Sequence, residues 1–248
     1  MSGDGVVSGD ATAADGALTA APGPGDVPRR RLLGWFTLVG VLAALSYAVN
    51  LSEAGDPPTD LLYRWSSAIG AIVQYAIILG VVLLLARGLP RVVLGWQRPR
   101  SWPRAAGLVA AGYVTILVVG FVLNLFLKAG EEQGLVPDAW DPNRAWPFVA
   151  NFLVVVTVAP VVEELAYRGV GFAAVRSAWG STAAIVVTAI AFGMAHGLIV
   201  ALPVLTAFGL VLAVVRQRTE SVFPSIALHA VFNGVALLAA VTIAHNGG

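Results

Sequence analysis

The run Val-Val-Glu-Glu-Leu-Ala-Tyr-Arg-Gly at residues 161–169 sets Glu163, Glu164 and Arg168 inside an apolar stretch that begins near Phe148. A charged side chain near a bilayer centre costs about 2.5–3.5 kcal/mol on insertion scales, so such a cluster marks a functional site whose partners must be found. Three candidate partners lie downstream: His196, His229 and Asn233. Peptide hydrolysis needs an activated water, a base to take its proton and donors aimed at the developing oxyanion, and these residue types can supply all three.

Helical geometry sorts them. At about 100° per residue, Glu164 and Arg168 share a face and can pair, whereas Glu163 is rotated away toward a cavity or another helix. The same four-residue spacing puts His196 on a face with Phe192, and His229 on a face with Asn233. Each group also has an ordinary structural reading: an intrahelical ion pair for Glu164 with Arg168, a core histidine for His196, interhelical hydrogen bonds for His229 with Asn233. Glu163 has no such partner in sequence.

The elements that must position these residues are membrane helices. The chain is 58% hydrophobic and 12% charged, with apolar runs near the length that spans a bilayer, which predicts an all-α polytopic bundle with its site inside the membrane. Apolar spans are expected at 32–51, 67–86, 105–127, 146–176, 181–199, 203–215 and 225–244. Cysteine is absent, excluding disulfide frameworks and thiol catalysis. Residues 1–28 are rich in Gly, Ala, Asp and Pro and read as a disordered tail. Residues 29–146 hold three membrane helices and their loops, 147–244 the catalytic core, and 245–248 a polar tail with His245 exposed. Glu131 and Glu132 fall in an acidic loop and read as solvated.

The loop after the second span carries Arg87, Arg91, Arg98, Arg100 and Arg104 without an acid, so it is expected on the cytoplasmic side. Threading the spans alternately puts Arg29–Arg31, Arg176, Arg216 and Arg218 on that side too, with the amino terminus inside and the carboxyl terminus outside. A hairpin turning between Trp179 and Gly180 would bring Glu163 and His196 level, each equally far from the turn. The site is expected in the cytoplasmic half of the membrane, its cavity opening toward the arginine-rich loop.

Glu-Glu-x-x-x-Arg at Glu163, Glu164 and Arg168, Phe-x-x-x-His at Phe192 and His196, and His-x-x-x-Asn at His229 and Asn233 resemble the three signatures of the CPBP intramembrane proteases, which process CAAX proteins and bacteriocins. One signature alone is weak, but three in order on separate spans are specific. The resemblance covers about residues 147–240 and departs from the family in the short stretch between the second and third signatures, leaving seven spans where about eight are usual. It implies Glu163 as the base, His196 as a second holder of the water, and His229 with Asn233 as oxyanion donors. Glu164 and Arg168 would brace the catalytic helix, and Phe192 would position His196 or line the channel.

The expected partners are the bilayer and a membrane-associated peptide or protein substrate, with no nucleic acid and no cofactor. A zinc protease is the alternative, with Glu163, His196 and His229 as ligands around an open position. A proton-coupled transporter or a membrane immunity factor would use the same residues as relays or interhelical glue. Against transport, the sequence shows no internal repeat.

Overall fold

The computed structural model describes residues 27–52, 58, 60–127 and 140–246, with side chains described as far as residue 242. Residues 1–26 of the expected tail, Glu131, Glu132 and the side chain of His245 lie outside the described residues. Among the described residues all regular structure is helical. Helices α1 (Arg29–Ser52), α2 (Trp65–Ala86), α3 (Arg91–Leu94) and α4 (Trp102–Leu127) precede the half that carries the three motifs. That half begins with α5 (Ala145–Leu153), α6 (Ala159–Glu164) and α7 (Phe172–Met194), joined end to end through π-helical turns at Val154–Val158 and Leu165–Gly171. Helices α8 (Leu202–Thr219) and α9 (Phe223–Asn246) follow. Helix α9 therefore runs two residues into the expected tail.

Six of these stretches are long and apolar enough to cross a membrane, and one of them, Pro142–Met194, is 53 residues long. At 1.5 Å per residue it exceeds the membrane about twofold, and it does not run straight. Gly180 has φ 84° and ψ 175°, a conformation that glycine tolerates and a side chain would oppose. The chain reverses there. Val27 N–H donates to Ser177 Oγ near the start of α1, while Ser46 Oγ, near its end, donates to Ala195 O. The Tyr167 and Phe192 rings meet at 5.4 Å, from positions equidistant from the reversal. The expected hairpin and its register are thus present, and the long stretch supplies two arms.

Arm and neighbour then run antiparallel. Gly193 lies against Thr206, and a Cβ at Gly209 would sit 3.0 Å from the Ala189 backbone, so glycine permits the close α7–α8 crossing that seals the core. Trp35, Phe172, Phe192, Leu212 and Leu228 are fully enclosed at that core. Outside it, α4 presents Phe121, Leu125 and Phe126, the last 79% exposed. Such an apolar belt suits lipid and would be an aggregation surface in water.

The two ends of the bundle differ. At one, Arg31 donates to the carbonyls of Leu85 and Arg87, Arg100 pairs with Glu220 at 2.8 Å, and Val222 N–H reaches Gly95 O. At the other, Asn151 donates to the Leu62 and Arg64 carbonyls and Asn50 to Gly197 O. Helix α8 is longer than the expected 203–215 because Arg216 does not end it. Its guanidinium is buried, donating to Arg168 O at 3.1 Å and lying within 3.5 Å of Val93 O.

Candidate active site

Pro160 explains the local shape of the helix that carries Glu163 and Glu164. It has no N–H to give, and in a π turn the partner of Val155 O would be residue 160, so that carbonyl is left without a backbone donor. Ala159 N–H takes Val154 O instead. The side chain of Asn233, on α9, donates its amide to the orphaned Val155 O at 3.0 Å. In the second π turn, the Trp35 indole donates to Ala166 O at 3.0 Å and Arg216 to Arg168 O. Both irregular turns flanking Glu163 and Glu164 are therefore held by side chains from other helices. A buried carbonyl left unpaired would cost about 1–3 kcal/mol.

The two glutamates occupy different surroundings. Glu164 is fully buried, with Oε1 2.9 Å from an Arg168 guanidinium nitrogen and 3.1 Å from His229 Nδ1. Arg168 also donates to Gly209 O at 2.9 Å and lies 4.7 Å over the Phe192 ring. The intrahelical pair expected from the four-residue spacing is present, and it is tied to α8 and α9 as well. Glu163 faces the other way. Its Oε1 accepts the Tyr75 hydroxyl at 2.6 Å, whereas its Oε2 has no hydrogen-bond partner in the protein and stands 3.8 Å from His229 Nε2.

Glu163, His196, His229 and Asn233 all line one cavity of about 430 Å³. Three of them are fixed through one polar atom and keep another free. His196 Nδ1 lies 2.7 Å from Phe192 O, and a carbonyl only accepts, so Nδ1 carries the proton and Nε2 is the basic nitrogen of the neutral ring. Phe192 also packs its ring against both imidazoles, 4.7 Å from His196 and 5.7 Å from His229. Asn233 spends one amide hydrogen on Val155 O and has a second. His229 is oriented through Nδ1 by Glu164, which leaves Nε2 beside Glu163.

The cavity opens away from the arginine-rich end, a correction to the expected direction. Its walls are the second half of α4 (Val119, Gly120, Asn124), the part of α9 beyond His229 (Asn233, Leu237, Ala240) and the start of α8 (Val204, Leu205). His196 itself is level with Ser46 and Asn50, near the far end of α1. The short α3 accounts for the closure. Leu94, its last residue, approaches Gly169, and Arg216 fills the space between Val93 and Arg168, so this loop floors the site instead of opening it.

Among the described residues no three His, Asp or Glu side chains gather at the spacing of a metal site, so Glu163, His196 and His229 do not form a ready three-ligand cage. Sequence reasoning missed Tyr75, which belongs to a span outside the three signatures. Its signal was faint: in α2 beyond Ser67, Gln74 and Tyr75 are the only polar side chains.

Comparison with known proteins fits this geometry. Residues 145–235 match the type II CAAX prenyl endopeptidase Rce1-like family. The chain is 23% identical over 210 residues to the Bacillus subtilis (strain 168) protein named "Putative membrane peptidase YdiL", covering 80% of this chain and 85% of that one. No solved structure matches. The matched segment contains all three signatures on α6 to α9, and over that segment the chain is similar to the CAAX-type membrane proteases.

Proposed function

We propose that the protein is an intramembrane endopeptidase in which Glu163 activates water, without a metal, to hydrolyse a peptide bond of a membrane-associated peptide or protein. The observation that carries this reading is that, among the described residues, Glu163 is the only acid lining the cavity, with Oε1 held by Tyr75 and Oε2 without a hydrogen-bond partner. A water at Oε2 gives its proton to the carboxylate as its oxygen adds to the scissile carbonyl carbon. The carbonyl π electrons move onto oxygen, and the Asn233 amide with the His229 ring stabilises the oxyanion. Collapse of the tetrahedral intermediate breaks the C–N bond, and the proton that Glu163 took passes by way of His196 Nε2 to the leaving amine, which restores the Glu163 carboxylate and the neutral imidazole. Glu164 and Arg168 hold the helix and His229 in register throughout.

The arginine-rich end is assigned to the cytoplasm of a multi-pass cell-membrane protein, with the amino terminus inside. The cavity mouth then faces the opposite side, so the substrate is approached from the outer half of the membrane. The mostly apolar walls favour an extended apolar or amphipathic segment over a soluble peptide. Mass spectrometry of membrane peptide termini, in cells expressing either the native protein or Glu163→Gln, tests the reading. New termini present only with the native protein are expected, and identical terminomes would overturn it.

A further inference from the structure

The Tyr75 contact goes beyond the three signatures. Glu163 projects from the catalytic helix, and Tyr75 reaches it from α2, a helix whose outward face is otherwise apolar and lipid-facing. A phenol this deep in a bundle needs a hydrogen-bond partner, and it has chosen a carboxylate. Its hydroxyl donates to Oε1 at 2.6 Å, within the short range of charge-assisted O–H···O bonds.

We infer that Tyr75 is a positioning residue for the general base: it occupies Glu163 Oε1, fixes the carboxylate plane, and leaves Oε2 as the atom that takes the proton of water. The inference rests on the peptidase reading of this cavity. The division of labour follows from the contacts. One carboxylate oxygen is engaged before substrate arrives, and the other sits 3.8 Å from His229 Nε2, too far for a direct hydrogen bond and a suitable gap for a shared proton-bearing atom. A carboxylate free to rotate would present either oxygen and lose part of the advantage of a fixed geometry. The other titratable or charged groups around Glu163 are His229 from α9, His196 across the cavity, and Glu164, Tyr167 and Arg168 on its own helix. The cavity-lining residues of α4 and α8 contribute none.

The variant Tyr75→Phe removes the hydroxyl and keeps the ring, so α2 packing survives. Carbodiimide attacks protonated carboxyls, and peptide mass spectrometry reads its adduct at Glu163 in the full-length protein in nanodiscs across a pH series, without any substrate. The labelling profile at Glu163 is expected to differ between Tyr75→Phe and the native protein, because the carboxylate loses its hydrogen bond at Oε1, with unchanged melting. In parallel, kcat on a membrane peptide cleaved by the native protein should fall while KM stays within about twofold, as expected when a group acts only in the transition state. An unchanged labelling profile would overturn the role of Tyr75 whatever the activity shows. A shifted profile in a native protein that cleaves no membrane peptide would instead overturn the peptidase reading on which the role rests.

Discussion

Arginine meets carboxylate both in the core of this molecule and at the end that carries Asp60 and Asp141, and the surroundings give the same pairing opposite weight. In the core, Glu164 and Arg168 have no exposure, and both are bound to further groups on α8 and α9. At the end away from the arginine loop, Asp60 pairs with Arg64 at 2.5 Å and Arg144 at 3.1 Å, and Asp141 with Arg144 at 2.6 Å, all partly exposed. Water screens the second set, so its members can be lost singly. In the first, removing one partner strands a charge without solvent. The buried pair therefore acts as a rigid support on which a reactive neighbour can be held, and the exposed cluster as a loop fastening.

The largest expected effect breaks the buried pair. Glu164→Gln leaves Arg168 without its counter-charge and should destabilise the protein by about 3–5 kcal/mol, with activity falling alongside. Thermal unfolding in detergent measures it, and a melting temperature equal to that of the native protein would mean that the pair braces nothing. Asn233→Ala should lower kcat about 10²–10³-fold as an oxyanion donor is lost. A smaller stability loss of about 1–3 kcal/mol should accompany it because Val155 O is orphaned. A stability loss with undiminished kcat would restrict Asn233 to the backbone of the π turn.

Metal removal sharpens the same comparison. If the buried cluster is a carboxylate base with its supports, stringent chelation followed by metal analysis should leave a metal-poor protein with unchanged turnover. A stoichiometric zinc whose removal silences the enzyme and whose return restores it would move His229 from donor to ligand.

The smallest effect belongs to the exposed cluster. Hydrogen bonds from Arg64 and Arg144 hold the Asp60 and Asp141 carboxyls below the usual carboxylate range. A lowered folded-state value stabilises the protein above the ordinary aspartate pKa of about 4 and loses that contribution as pH falls through the folded value. Asp60→Asn with Asp141→Asn should therefore melt slightly below the native protein at neutral pH and converge with it on acidification, so that its decline is the shallower. Titrating both proteins by melting from neutral to acid pH checks this.

The sequence made the bundle legible because membrane helices must be apolar and their backbones self-satisfied, so spans and turns stand out by composition alone. The reversal at Gly180 and the common level of Tyr167 with Phe192 follow from residue counting about one turn. The π turns were not visible, although Pro160 three residues before Glu163 was a usable hint once the fate of Val155 O is considered. His229 was read with Asn233 from their shared face, but tertiary packing gives His229 to Glu164 and Asn233 to the catalytic helix backbone. The cavity does not open toward the arginine loop as charge alone suggests, because α3 and Arg216 fold that loop into a floor, a tertiary contact that no spacing in the sequence announces. Tyr75 escaped because a lone tyrosine in an apolar span carries no spacing to read.

The central claim is that Glu163 supplies chemistry while Glu164 supplies support. The most direct test is turnover and thermal unfolding of purified Glu163→Gln, measured side by side with the native protein. The account predicts no detectable peptide cleavage at an unchanged melting temperature, since the amide keeps the carboxylate's shape but cannot take a proton from water. Residual cleavage near the native rate from a folded Glu163→Gln protein would contradict it.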